Sequence, residues 1–557
     1  MAETIEKPNA EEDGNKDEVS LDKLLIEEVG QLGRYQWRIL ALTVVTVIFA
    51  AWAAVEYIFT TGRIPTRCLI PECDVPESIE FRPSWLLNAV PESGSSFDNC
   101  RRFSPANATL HTDTCPASLF NRDNVVNCEE FLYENTDTVV YDYDLACDEW
   151  RRTLIGSVRT FGTLTALPIT GFISDRWGRR TALSINAINT AWIGVLRYFA
   201  DTYVGFLISQ VAEATFGSGS FSCAYILLME VVGPKYRVAA GATMNTCFSI
   251  GQITMGLIAW AVPDWRKLTL ILYIPQFITI FYYWVMFESI RWYMSKGRYE
   301  DAEKTLKRVA EINGNQLSDD SIESLKLSAE KEKIQALVDK EAKKEDPWLI
   351  VILFRYKRVL LRVCVSPVWW ITTTFIYYGM SINSTNMSGN RYVNYIAVAA
   401  VEIPGYWTAF LLMSIVGRRP VLAGAFWVCA VCQIAYIFIP SEVYSLSLAV
   451  YLVAKFSIAM VMTSVYVYTT ELYPTKYRHT LFAFSSMMGR IGSIVAPLTP
   501  AFGAAVWEEF PFVLFACFAL LSGALVLITP ETLGSKLPDS MEDAFNIGLK
   551  KDDPNRR

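Results

Sequence analysis

The sequence predicts an all-α membrane protein. It has twelve transmembrane helices in two six-helix pseudo-symmetric halves, with a Cys-rich extracellular domain between helices 1 and 2. Three observations predict it. Of the 557 residues, 52% are hydrophobic, and they gather in about twelve windows near the ~20 residues that carry a helix across a bilayer. A charged hairpin between two such windows occurs twice. Six cysteines share one long polar segment.

The first hairpin is Gly171 to Arg180, GFISDRWGRR. Arg176, Arg179 and Arg180 mark the cytoplasmic side. Asp175 can accept backbone N–H groups where the next helix begins, and Gly178 allows a turn that a side chain would obstruct. Val416-Gly417-Arg418-Arg419-Pro420 sits in the same kind of gap in the second half. Each hairpin is followed by two apolar windows and a second charged element: Glu230 with Lys235-Tyr236-Arg237, then Glu471 with Lys476-Tyr477-Arg478. Arg180 and Glu230 lie 50 residues apart, Arg419 and Glu471 52. Matched spacing of this kind indicates two structural repeats. The functional expectation is a cytoplasmic charged gate of Asp175, Arg176, Arg179, Arg180, Glu230, Arg237, Arg418, Arg419, Glu471 and Arg478, broken when the halves rock. The plainer alternative is topogenic, since arginine-rich short loops orient any membrane protein.

In chain order, residues 1–38 form an acidic cytoplasmic segment with no apolar run, so no cleavable signal is expected. Residues 1–20 read as disordered and 21–38 as a short amphipathic helix. The N-terminal half, 39–287, holds spans at 39–60, 151–173, 181–200, 203–229, 238–261 and 266–287. Its insert, 60–150, carries Cys68, Cys73, Cys100, Cys115, Cys128 and Cys147. These suit three disulfides with fifteen alternative pairings, which need an oxidising compartment. Asn107 begins a glycosylation sequon there. Asp201, Asp264, Arg266 and Lys267 mark outer turns. Residues 288–357 form a charged cytoplasmic linker read as solvated bracing helices. The C-terminal half, 358–529, holds spans at 359–380, 392–416, 421–439, 445–470, 481–504 and 510–529, and 530–557 is a cytoplasmic tail. Short inner loops hold nine basic residues against three outside, which puts both termini in the cytoplasm. Sequons at Asn383 and Asn386 fall in the outer loop after span 7. The remaining cysteines read as packing residues. His111 and His479 fall in loops, so no histidine relay or metal site is expected in the membrane. Nothing supports an enzyme, a cofactor or a nucleic-acid partner. The partners are the lipid bilayer and a small organic ion, and oligomeric state has no residue-level signal.

The paired hairpins resemble the major facilitator superfamily. Several stretches resemble one family within it, the solute carrier 22 organic ion transporters: Glu288-Ser-Ile-Arg-Trp292, Lys296 to Glu300, Val401-Glu-Ile-Pro-Gly405, Glu471-Leu-Tyr-Pro474, Pro530-Glu-Thr-Leu-Gly534 and Leu537-Pro-Asp539, together with the Cys-rich insert. Gly379 to Asn386, with Val465 to Tyr468, looks closest to the organic cation/carnitine branch, and Ser486 to Ile494 resembles both that branch and the anion branch. Sugar porters share the hairpins and the Pro-Glu-Thr ending but lack so long a cysteine-bearing insert. The resemblance implies the major facilitator fold and a plasma-membrane secondary transporter working by alternating access. Its expected substrates are small organic cations or carnitine-like zwitterions, with sodium coupling left open. Cation transporters of the family usually carry an aspartate where Arg490 stands.

Three ionisable residues lie deep in spans of the second half, where charge costs about 2.5–3.5 kcal/mol and marks a functional candidate. They are Glu402, Lys455 and Arg490, all at similar depth. One cavity lined by all three would suit a zwitterion; the alternative is that Glu402 only neutralises Lys455 or Arg490. Trp370 and Tyr377 are seven apart and share a helix face, with Tyr378 beside them. Aromatic faces attract organic cations, and the resemblance places Trp370 and Tyr377 in the family's cavity. Phe221 is a further candidate on span 4. Glu56 and Arg159 are expected to pair with each other or snorkel outward, and Glu56 is a candidate sodium ligand. An organic anion exchanger and a non-transporting receptor are the competing readings.

Overall fold

The computed structural model describes residues 21–74, 80–93, 96–106, 115–318, 320–327, 348–440, 442–535, 537–538 and 540–548. Asn107, His111, residues 1–20 and the middle of the linker lie outside the described residues.

Each apolar window falls on helix. The first half contains α1 (Arg34–Thr60), α2 (Glu149–Trp177), α3 (Arg179–Leu196), α4 (Tyr203–Gly217 continued by Gly219–Val231), α5 (Arg237–Ala261) and α6 (Trp265–Val285). The second contains α7 (Lys357–Asn383), α8 (Arg391–Ile415), α9 (Arg418–Ile437), α10 (Tyr444–Leu472), α11 (Arg478–Ala505) and α12 (Phe510–Val526). Among the described residues, seven helices are long and apolar enough to cross a membrane: α1, α6, α7, α8, α9, α10 and α11. The breaks have local causes. Pro275 and Pro497 cannot donate an intrahelical bond, and 3-10 turns run through Pro275–Phe281 in α6 and Ala496–Leu498 in α11. Side-chain caps set several starts: Asp148 accepts from Arg151 N, Asp264 from Lys267 N and Asn390 from Tyr392 N. His479 is the second residue of α11 and exposed, a turn earlier than the hydropathy pattern placed it, because the helix starts at Arg478 before its apolar face begins.

The cysteine-bearing insert forms small antiparallel ladders: Thr66–Cys68 with Phe131–Tyr133, Glu92–Ser93 with Ser96–Phe97, and Arg101–Pro105 with Phe120–Asn127. Strands this short do not hold alone. Of the fifteen pairings, the chain takes Cys68–Cys128, Cys73–Cys115 and Cys100–Cys147. A small core of Ile70, Leu86, Val90 and Phe120 gathers about the bridges, and the buried Arg67–Asp74 pair, 2.7 Å apart, fixes its first turn.

The two ends of the bundle differ. At the end carrying the disulfides, one continuous core runs across the seam, joining Tyr57, Phe59 and Met255 of the first half to Tyr377, Tyr395 and Val398 of the second. At the hairpin end the first half keeps its own core, including Leu183, Leu227, Met244 and Met286. Helical turns at Leu21–Leu24 and Leu25–Val29 dock beneath it. Asp22 there pairs with Arg237 at 2.5 Å and also with Arg291. Asn383, the first residue of a sequon, is buried in α7 and donates to Thr499 (2.7 Å), so it is not an outer-loop acceptor.

Candidate transport site

The hairpins are built alike in both halves. Gly178 and Gly417 have φ of +104° and +114°, which L side chains rarely adopt. An added Cβ would lie 2.2 Å from Glu288 and 2.8 Å from Glu531. These two carboxylates cap the helices that follow: Glu288 accepts from Arg180 N at 3.0 Å, Glu531 from Arg418 N and Arg419 N at 2.9 and 3.0 Å. The capping role expected of Asp175 therefore belongs to Glu288, which reaches the hairpin from the far end of its half. Exposed Asp175 instead pairs with Arg179 one turn on, at 2.8 Å. Arg179 also meets Glu230 at 3.4 Å, and its counterpart Arg418 meets Glu471 at 3.1 Å. Each of these arginines donates to a main-chain carbonyl in its own hairpin, that of Ser174 or Met413.

Other expected gate members are placed differently. Arg237 is taken by Asp22 rather than a glutamate of the gate. Arg478 donates to the carbonyls of Tyr473 and Pro538. Arg180 lies over the Tyr283 ring, Arg419 donates to the Leu527 carbonyl, and Arg176 is exposed. Among the described residues, every ion pair at the hairpin end stays within one half or its linker.

Glu56 and Arg159 neither pair with each other nor reach an interface. Each finds a different partner from helices the sequence could not bring together. Arg197, on the turn after α3, meets Glu56 at 2.6 Å and Glu213 of α4 at 3.3 Å, and Arg159 meets Glu213 directly. Gln210 bridges Arg159 and Glu56, while Thr269 and Tyr273 of α6 close the shell. Two carboxylates and two guanidiniums, all at most 4% exposed, thus neutralise one another across α1, α2, α4 and the turn after α3. Arg197 escaped the sequence reading because it sits near the end of span 3, where a charge is ordinarily solvated; Glu213, about ten residues into α4, carried the same deep-charge signal as Glu402 and was overlooked.

Glu402 and Lys455 form the other buried pair, 2.9 Å apart and both 0% exposed. Gly405 makes the approach feasible: an added Cβ there would lie 2.9 Å from the Phe456 carbonyl, so α8 closes on α10. Glu402 Oε2 accepts from Tyr377 (2.7 Å), Tyr406 (3.1 Å), Ser249 (2.9 Å) and Gln252 (2.9 Å). Ser249 and Gln252 belong to α5, so this carboxylate bonds across the seam. Lys455 spends its remaining donors on the Tyr377 carbonyl (2.8 Å) and Ser381 (2.7 Å). Of the two expectations for Glu402, the geometry supplies the pairing with Lys455. Arg490 stands apart from it. It is half-buried, meets no carboxylate among the described residues, and lies within electrostatic reach of the Tyr378 hydroxyl.

Trp370 is 1% exposed and donates to Thr469 at 3.0 Å, so it supports the site from behind. It holds Tyr466 and Phe482 edge-on, at 4.7 and 5.6 Å. Tyr377 likewise turns its hydroxyl to Glu402 and its ring edge to Tyr378, 5.2 Å away. On the other half, Phe221 packs on Tyr225 and Phe248. Tyr225 and Tyr466, one from each half, are partly exposed and within electrostatic reach of each other. Tyr225, Phe248, Tyr466 and Phe482 were missed because aromatics are abundant in apolar helices and only the crossing of helices selects among them.

A family model described as "Sugar (and other) transporter" matches residues 120–544. Organic cation/carnitine transporter 2 of Rattus norvegicus is 28% identical over 94% of this chain and 94% of its own. Solute carrier family 22 member 3 of Mus musculus is also 28% identical, over 94% of this chain and 95% of its own. The inward open conformation of the E. coli xylose transporter XylE superposes with a TM-score of 0.59 at 14% identity, over 92% of this chain and 99% of that one. Repeated hairpins, a seam closed at one end and a match across most of the sequence converge: the chain belongs to the sugar (and other) transporter family, built on the major facilitator fold.

Proposed function

We propose that this protein is a plasma-membrane secondary transporter of small organic cations or carnitine-like zwitterions, working by alternating access, with the hairpin end and both termini in the cytoplasm. The observation that carries the reading is the pair of aromatic sets, one on each half, beside an arginine that meets no carboxylate among the described residues. Tyr466, Phe482 and Tyr378 on one side and Phe221, Tyr225 and Phe248 on the other offer ring faces to an ammonium group. Arg490 offers its guanidinium to a carboxylate, for which its planar fork is suited. Glu402, already satisfied by Lys455, serves as the tie between halves that must break and re-form in each cycle. The names of the carnitine and solute carrier 22 relatives support the substrate class. The basic hairpins and the disulfides support the orientation. Sodium coupling is one mode compatible with this reading.

Uptake of labelled tetraethylammonium, carnitine and glutarate into expressing cells, with and without external sodium, tests it. Carnitine uptake is expected, falling at least about tenfold in Arg490→Asp, the loss of one charge-assisted pair. Tyr466→Ala should raise KM for carnitine and tetraethylammonium together. Uptake of glutarate alone would favour an anion exchanger, a second reading supported by the same acid-free Arg490.

A further inference from the structure

At the disulfide end the seam is closed by rings, and one of them sits as a guest. Tyr392, at the start of α8, stacks with both Phe59 of α1 and Trp260 of α5. Its ring is nearly parallel to both, with centroids 5.7 and 6.1 Å away and planes 8° and 4° apart. Tyr395, one turn on, meets Phe59 edge-on at 4.9 Å. The guanidinium of Arg391 donates to the Arg63 carbonyl (3.1 Å) and to the Tyr392 hydroxyl (3.0 Å), and stands 5.0 Å from the centroid of that ring. Among the described residues its charge meets no carboxylate.

Phe59, Arg63 and Trp260 belong to the first half, Arg391 and Tyr392 to the second. One half therefore lays a flat ring with an attached cation onto two ring faces and a carbonyl oxygen of the other. When the seam opens, Arg391 and Tyr392 leave with α8. The two ring faces that Tyr392 covered stay behind on α1 and α5, and the Arg63 carbonyl on the turn after α1.

We propose that this slot is a docking site for flat aromatic organic cations, which compete with Arg391 and Tyr392 and so favour the open seam. The proposal rests on the organic-cation reading above. Ring faces carry negative potential and take a cation over them, and stacking adds an offset ring contact. The Arg63 carbonyl accepts an N–H donor where the cation has one. A ligand shifts the seam only by its preference for the open form, and here that preference arises because the closed form has already filled the slot. Aliphatic ammonium ions of equal charge gain the face contact but not the stacking, so they open the seam less.

The test uses the full-length protein in nanodiscs with radiolabelled N-methylquinolinium. Removing the internal occupant in Tyr392→Ala should tighten binding about tenfold, and adding Trp260→Leu should reverse most of that gain. Binding that is the same in wild type, Tyr392→Ala and Trp260→Leu would overturn the slot and leave the organic-cation reading standing. No binding of N-methylquinolinium to any variant in nanodiscs, together with no uptake of it into expressing cells, would overturn both. A second measurement stands even if Tyr392→Ala fails to fold. Thr61 is 6% exposed in the closed seam, so a Thr61→Cys thiol in the otherwise native protein reports opening through its reaction with a membrane-impermeant maleimide. N-methylquinolinium should speed that reaction several-fold, and tetramethylammonium should speed it less. Equal or slower labelling with the aromatic cation would overturn the proposal.

Discussion

At the residue scale, the chain contains two solutions to the problem of ionised groups in an apolar bundle. Glu402 and Lys455 satisfy each other and every remaining donor of the lysine. Removing one member strands the other, at a cost of about 3–5 kcal/mol, whereas removing both together is far less costly. Lys455→Met should therefore lower thermal stability in detergent sharply, and the double variant Glu402→Gln, Lys455→Met should recover most of it. A double variant as unstable as the two single losses combined would contradict the pairing. Arg197 holds two carboxylates, so Arg197→Leu should be at least as damaging, by about 3–5 kcal/mol in the same melt. That Glu402, Lys455 and Glu56 matter was legible from charge in apolar windows; Arg197, near a span end, was not singled out. Which charge meets which was not legible, because Glu56 and Arg197 are joined only by the crossing of α1 with the end of α3.

At the element scale, the repeat is most visible where glycine meets a carboxylate. The sequence displayed both hairpins and their spacing, and it also displayed Glu288 and Glu531 within recognisable motifs. It did not join them, since each glutamate lies about 110 residues beyond the helix it caps. Alanine at Gly178 or Gly417 must adopt a strained φ and push the carboxylate aside, costing about 1–3 kcal/mol. Gly178→Ala should be the worse of the two, because its methyl group meets Glu288 at 2.2 Å against 2.8 Å at Glu531. Thermal unfolding of the two variants checks the order. Equal and negligible shifts would mean that the hairpins relax freely.

At the scale of the whole molecule, the disulfides gather a core of their own, whereas Ile64, Val139, Val140 and Leu145 of the insert pack with Ile155, Phe206 and Trp265 of the bundle, so the disulfide-bearing part alone should fail separately. Cys100–Cys147 closes 47 residues and joins the domain to the chain just before α2. In the chain-entropy account such a loop contributes about 4 kcal/mol. Replacing both cysteines by serine should expose the stretch from Cys68 to Cys128 to limited proteolysis at a temperature where the helical bundle still resists. Simultaneous loss of both would mean that the domain is integral to the bundle.

The sequence by itself determined the twelve helices, their two-fold repeat, the disulfide-bearing insert and the family, because these rest on local signals: hydrophobic run length, basic loops, glycine turns and cysteine content. Tertiary structure alone decided the contacts between distant helices. It chose one disulfide pairing among fifteen, gave Asp22 to Arg237, divided the buried charges into a quartet and a pair, and set Arg490 apart from every acid among the described residues. It also closed the seam at one end with Phe59, Trp260 and Tyr392. The physical reason is that helix formation and insertion are fixed by neighbours in the chain, whereas partners are fixed by which faces of rigid helices meet. One rotation or break, as at Pro275 or Gly217, re-aims every side chain beyond it.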